Sequence, residues 1–283
     1  MLKEVYLDAL RHHQDKVGKL KDSNYSTIMD MAGSRWVAYS PKPRACVSAG
    51  IDSSWNKRAF QGLSLYAVDA VAVTSSNRIK AVEYELDLAD SARGEALETK
   101  AMAMEASVAS RALKDEEDPR VDIAFVDGSL IPRLRGKSPA AVADYVEKYG
   151  NSVFVSKSSE SRAHFGALGS RAGDIYYYGH SSKDQPGYST PVYRTDAGTA
   201  LTEIYARLRK STPVVRLEIL GRQPSEAEVQ KTLDMLCYHS VSGYPYCLKL
   251  AHNNCKISDE EMERLAGIFG LQHEPGARLV LNE

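Results

Sequence analysis

Residues 121–130 read VDIAFVDGSL. A run that is apolar on both faces suits a central strand covered by helices on each side. This run stops on Asp127, followed by Gly128 and Ser129. Asp-Gly and Asp-Ser are good turn formers, so a turn alone explains such an ending. The chain repeats the device, however. Residues 45–54 read ACVSAGIDSS, where a small apolar run meets Asp52 and two serines. A carboxylate at the end of a buried strand is held rigidly at the sheet edge, where ligand sites form.

Working outward, residues 62–76 (GLSLYAVDAVAVTSS) form a β-rich run, and 81–90 (AVEYELDLAD) alternate. Val82, Tyr84, Leu86 and Leu88 share one face of that strand, with acids largely on the other. Residues 45–90 thus read as three strands in an antiparallel meander. Residues 94–113 (GEALETKAMAMEASVASRAL) have strong helix formers and no interior Gly or Pro. An acidic loop, KDEEDPR at 114–120, leads to the strand ending at Asp127. Ser138 and Pro139 introduce a helix to Tyr149, and SVFVSK at 152–157 is a strand. Three strands, helix, strand, helix, strand is the order of an RNase H-like core. The expected fold class is therefore α/β, a mixed sheet flanked by helices.

Around that core, residues 1–20 put Tyr6, Leu10, Val17 and Leu20 on one helical stripe, predicting an amphipathic helix that packs on the domain. Residues 21–44 look irregular, so 1–44 read as an N-terminal helix and linker, and 45–283 as the main domain. Polar, Gly- and Tyr-rich residues 158–199 predict long functional loops or a small insertion, 199–210 a helix and 213–220 a strand. Helices follow at 224–239, 245–256 and 259–269, the last with a Ser258/Glu261 capping box.

Composition sets limits. The 283 residues are 43% hydrophobic and 26% charged with net charge −1, which argues against a broadly basic surface but not against a local basic groove. Cys46, Cys237, Cys247 and Cys255 form no CxxC pair, so reduced thiols are expected and zinc is disfavoured. No apolar run approaches the roughly 20 residues that cross a bilayer, and the N-terminus is charged from Lys3 onward. A cytoplasmic protein is expected.

The helix at 94–113 offers a third acid among Glu95, Glu98 and Glu105. The i±3 and i±4 neighbours of Glu105 are Ala101, Met102, Val108 and Ala109, all apolar, which places it on the buried face. A buried carboxylate needs a salt bridge or a metal, and both are open at this point. Asp52, Glu105 and Asp127 together would suit one or two Mg2+ or Mn2+ ions. In SGYPYCLKLAHNN at 242–254, Tyr244 precedes a Pro-led helix and His252 lies about two turns on, near the same face. That histidine is placed to ligate a metal, to contact a phosphate, or to serve structure alone. Basic clusters follow both aspartates, Lys57-Arg58 and Arg133/Arg135/Lys137, and suit phosphates. Tyrosines at 176–193 offer stacking or packing surfaces.

The order AGIDSS, AMAMEASVA, FVDGSL, SGYPYCLKLAH resembles the NurA nuclease family, over about residues 50–269. The resemblance implies an RNase H-like fold and a manganese-dependent deoxyribonuclease. It implies 5′–3′ exonuclease action on single- and double-stranded DNA and single-strand endonuclease action in DNA end resection. A HerA-type hexameric translocase is the implied partner, and a homodimer the implied assembly. By position, Asp52, Glu105 and Asp127 match the family's metal-binding acids, and Tyr244 and His252 its C-terminal active-site pair, His252 as a further metal ligand. A helix slip would substitute Glu98 for Glu105. Ser53 stands where the family often has Gly, and Lys157 resembles a lysine near the site that contacts phosphate. A non-catalytic, DNA-holding adaptor of a ring-shaped translocase and an actin-like phosphotransferase are the alternatives. The latter lacks a Gly-rich second phosphate loop.

Overall fold

The computed structural model describes residues 3–271, apart from 22, 118, 135, 197 and 222. Helices α1 (Lys3–Gly18) and α2 (Tyr25–Ser34) and strand β1 (Trp36–Ala38) come first. Next are β2 (Ser48–Ala59), β3 (Ser64–Thr74), β4 (Ile79–Ala89), α3 (Gly94–Lys114) and β5 (Ile123–Asp127). They lead to α4 (Leu130–Leu134), α5 (Pro139–Tyr149) and β6 (Val153–Ser156). The rest comprises α6 (Asp174–Ser181), β7 (Gly187–Ser189), β8 (Val192–Asp196), β9 (Thr199–Arg207) and β10 (Val215–Leu220). The C-terminal part is α7 (Glu226–Tyr238), β11 (Ser240–Val241), β12 (Tyr244–Pro245), α8 (Tyr246–Cys255) and α9 (Asp259–Ile268).

Ten strands form one sheet in the order β1-β7-β9-β10-β6-β5-β2-β3-β4, with β8 also paired to β9. β2, β3 and β4 make the expected antiparallel meander. β2 pairs in parallel with β5, and β5 with β6. Parallel neighbours need a long crossover, which α3 supplies for the first pair and α5 for the second. This is the RNase H-like arrangement that the order of elements predicts.

Alternation along β5 explains its two apolar faces. Ala124 and Val126 enter a core with Met104 and Val108 of α3 and Tyr145 and Tyr149 of α5. Ile123 and Phe125 enter the opposite core, with Val229 and Leu233 of α7 and Cys247 and Leu248 of α8. Full burial of each large apolar side chain contributes about 1.5–3 kcal/mol. On the second side α8 lies very close to β2. A Cβ on Gly50 would come within 2.2 Å of the Cys247 carbonyl carbon and oxygen. Glycine in a strand marks such close backbone approach.

Several sequence expectations are corrected. β2 does not stop at Asp52 but runs on to Ala59, because β3 keeps pairing with it up to Ser64. The segment 21–44 is not wholly irregular: it contains α2, which carries buried Ile28 and Ala32, and β1, which joins the sheet through β7. The predicted helix at 199–210 is strand β9, buried along almost its whole length; periodicity cannot separate a fully buried strand from a buried helix. Residues 158–199 hold α6, β7 and β8 rather than loops alone, and Tyr177, Tyr178 and Tyr188 are buried packing residues. α1 is a helix as expected, but none of its residues is buried. On β4 the faces are reversed: Val82 and Tyr84 are exposed, while Glu83 and Glu85 turn toward Arg111 and Lys100 of α3. Opposite charges on the covering helix draw the acids inward on this edge strand. Among the described residues no helix is long and apolar enough to cross a membrane.

Replacing Gly50 with Ala should force α8 away from β2. The expected cost is about 1–3 kcal/mol, the usual range for overpacking, measurable by chemical denaturation against wild type.

Candidate active site

Asp52 and Asp127 meet because their strands are parallel neighbours. The β2–β5 ladder pairs Ile51 with Val126 and then ends, since β5 stops at Asp127. Asp52 follows Gly50 on the α8 side of β2, and Asp127 follows Phe125 on the same side of β5. Both carboxylates therefore leave the sheet on one face. α8 and the β12 strand before it cover that face and bring in the C-terminal pair. The Tyr244 hydroxyl donates to Asp127 Oδ1 at 2.6 Å. His252 Nδ1 lies 3.1 Å from Asp52 Oδ2, on an otherwise exposed ring. Tyr244 on β12 and His252 on α8 thus place one residue on each aspartate.

Asp52 is almost fully buried, and its own backbone neighbour, the Ser53 N–H, donates to Oδ1 at 2.9 Å. Burial, then the charges of Asp127 and Glu105, push its carboxyl up to about 6. Burial and the charge of Asp127 also push the Tyr244 phenol up, so it stays a proton donor to that carboxylate. Lys157 follows β6, with its ammonium 4.1 Å from the Tyr244 ring centroid. This cation–π contact holds a positive charge in the cavity beside Asp127.

Glu105 is buried, as helical spacing predicted, but it approaches from the other face. Its Oε2 accepts from the Ser53 hydroxyl at 3.0 Å, and Ser53 points away from Asp52 toward α3. Arg133 donates from Nε to Oε1 at 2.9 Å and from Nη2 to Oε2 at 3.0 Å, and the Tyr149 hydroxyl donates to Oε1 at 2.9 Å. A carboxylate has about four lone-pair sites, and these bonds occupy all of them. The structure thus brings together Asp52, Asp127, Tyr244, His252 and Lys157, with Glu105 behind them in a buried ion pair. Glu98 is exposed. Ser53, the departure from the family motif, supplies one of the bonds that fix Glu105.

The basic clusters are corrected. Arg133 is buried and committed to Glu105, so it is not a surface contact for DNA. Its spacing from Asp127 looked like a basic loop, but α4 turns it inward. Lys57 and Arg58 do not follow a turn after Asp52. They lie five and six residues along β2, about 16–20 Å away at the usual rise per residue. Lys57 donates to the Ala92 carbonyl at 2.6 Å, and Arg58 is 3.6 Å from Glu263. Arg135 lies outside the described residues. Sequence reading missed the opposite wall. A cavity of about 830 Å³ opens beside Asp127, lined by Ser129, Lys157, Ser159, Arg162, Arg194 and Arg216 among others. Arg194 and Arg216 reach it from β8 and β10, which no local motif links to Asp127.

Asp52 and Asp127 fit a hard divalent cation. Magnesium-like ions are commonly held by one or two carboxylates, with water and phosphate oxygens completing the shell. Burial, then the charges of Asp127 and Glu105, raise the Asp52 carboxyl, and a bound cation would favour its ionised form. Among the described residues no three His, Cys, Asp or Glu side chains already converge as a complete cage.

Comparison with known proteins shows what the whole chain is similar to. The DNA double-strand break repair nuclease NurA of Saccharolobus solfataricus is 22% identical, over 95% of this chain and 96% of its own length. The crystal structure of the NurA nuclease from Sulfolobus solfataricus superposes with a TM-score of 0.74 at 22% identity, covering 95% of this chain and 97% of that one. A crystal structure of NurA bound to dAMP and manganese gives 0.68 at 13% identity, covering 95% and 98%. The family model of the NurA domain matches residues 46–257, well over half of the chain, and the protein therefore belongs to the NurA family.

Proposed function

We propose that the protein is a metal-dependent DNA nuclease that hydrolyses phosphodiester bonds. The observation that carries this reading is the meeting of Asp52 and Asp127 on one sheet face, beside a cavity lined by Lys157, Arg162, Arg194 and Arg216. The relative named as a repair nuclease and the one solved with dAMP and manganese support the same chemistry and favour Mn2+. Asp52 and Asp127 would hold one or two ions. A cation held there supplies Lewis acidity at the scissile phosphate.

The chain's own residues divide the remaining work. Tyr244 orients Asp127 through its 2.6 Å hydrogen bond. His252, bonded to Asp52 and open to solvent, is placed to complete the ligand set or to exchange a proton with the phosphate's leaving oxygen. Lys157 neutralises a non-bridging phosphate oxygen from its seat on the Tyr244 ring. Glu105 adds negative charge behind Asp52. For it to serve as a direct ligand, as the family pattern suggests, one of its present hydrogen bonds must be released. Family resemblance alone supports the finer assignment: 5′–3′ exonuclease and single-strand endonuclease action, a HerA-type hexameric translocase as partner, and a homodimer acting in end resection.

End-labelled single- and double-stranded DNA, incubated with Mn2+, Mg2+ or EDTA, tests the reading. Cleavage should require the divalent ion. Asp127→Asn should fold normally and lose more than the roughly 10–100-fold that even an outer partner of a metal site costs. Wild-type cleavage by that variant, or DNA retention without turnover in every metal, would refute the proposal.

The Asp52 carboxyl sets a pH dependence. With its acid pushed up to about 6, the folded protein is protonated there below that pH and ionised above it. A cation must displace the proton, so Mn2+ affinity should fall by roughly tenfold per pH unit below about 6 and level off above about 7. Titration calorimetry across this range measures it, and a flat profile would contradict it.

A further inference from the structure

The turn after Asp127 is clamped from both sides. Gly128 takes φ +87°, which lets the chain leave β5 sharply. On the α3 side, Arg133 Nη2 donates to the Asp127 carbonyl at 2.7 Å, and Nη1 donates to the Ser129 carbonyl, while its other bonds go to Glu105. On the β10 side stands Glu218, 1% exposed. It accepts from the Ser129 hydroxyl at 3.0 Å on both oxygens and from the Leu130 N–H at 2.6 Å. Arg216 pairs with Glu218 and with Glu203, and donates to the Ser129 hydroxyl at 3.2 Å. Two buried ion pairs, Arg133–Glu105 and Arg216–Glu218, thus meet on one residue.

Burying an ion pair carries a desolvation cost that a well-packed apolar pair avoids. The backbone alone already secures the end of β5, since Gly128 donates to the Val155 carbonyl of β6 at 3.0 Å. Two such pairs aimed at Asp127, Ser129 and Leu130 do something further: they fix the backbone from which the Asp127 carboxylate projects. None of their bonds uses that carboxylate, which stays available to Tyr244 and to the site.

We infer that Ser129 and Glu218 are positioning residues for Asp127, with Ser129 as the joint between the two ion pairs. This rests on the reading that Asp127 helps hold a divalent cation. Partners that orient a metal-binding group typically govern 10–100-fold of affinity or activity.

The test uses the full chain with Ser129→Ala, Ser129→Thr and Glu218→Gln. Mn2+ affinity is read by titration calorimetry, kcat and KM on single-stranded DNA, and folding by circular dichroism and melting. Ser129→Ala should keep the wild-type spectrum, bind Mn2+ about 10–100-fold more weakly and lose kcat to a similar degree, with KM for DNA unchanged. Ser129→Thr keeps the hydroxyl and should restore most of both. Should Glu218→Gln fail to fold, Ser129→Ala still decides, since it removes one hydroxyl and strands no charge. A folded Ser129→Ala with wild-type Mn2+ affinity overturns the inference, as does a lowered melting temperature with affinity and kcat intact. Wild type that binds Mn2+ yet cleaves no DNA defeats the nuclease reading, while the affinity comparison still judges the inference. Wild type that binds no Mn2+ defeats both.

Discussion

Everything at the site depends on where one parallel ladder ends. β2 and β5 run side by side from Ser48 and Ile123 to Ile51 and Val126, and the next residue on each is an aspartate. β5 stops there; β2 continues in its hairpin with β3. Two carboxylates are thereby delivered to one face by rigid strands, at a spacing set by backbone hydrogen bonds rather than by side-chain choice. α8 and β12 then need only lie across that face for Tyr244 and His252 to reach them.

The second constraint is the cost of charge in a protein interior. Glu105, Glu203 and Glu218 are all nearly inaccessible to solvent, and each is met by an arginine. Removing one partner of such a pair typically costs about 3–5 kcal/mol, because the other is left buried and unpaired. Asp174, equally buried, is held instead by the His164 and Phe165 N–H groups, and Asp52 also lacks an arginine. Its burial is offset by the Ser53 N–H and an exposed His252 rather than by an arginine, and its raised pKa records the difference. Asp52 thereby keeps a carboxylate that the proposed cation would neutralise.

Much of this was legible in the sequence. VDIAFVDGSL reads directly as a central strand that ends on a carboxylate, and the apolar neighbours of Glu105 correctly predict its burial. The eight residues from Tyr244 to His252, about two helical turns, already put the two near one face. What could not be read was anything that depends on strands distant in sequence. β9 looked helical because burial on both faces erases the two-residue period. Arg133 looked like surface because the turn into α4 carries no polar signature of its own. Glu218 and Arg216 sit 89 and 87 residues from Ser129 and share no motif with it. The reversed faces of β4 depend on which side chains α3 happens to present.

The alternation of β2 has one more consequence. Asp52 serves the face of α8 and Ser53 the face of α3, and eleven consecutive pairs with β3, from Ala49–Thr74 to Ala59–Ser64, hold that assignment without a bulge. A strand that slips by one residue exchanges its two faces. Here the exchange would drive an aspartate into the interior against Glu105 and present a serine to the open side. Substitutions in this strand can be graded in their effects, but a single inserted or deleted residue before Asp52 cannot. The reading frame of the hairpin, more than the identity of most of its residues, is what the chain has to conserve.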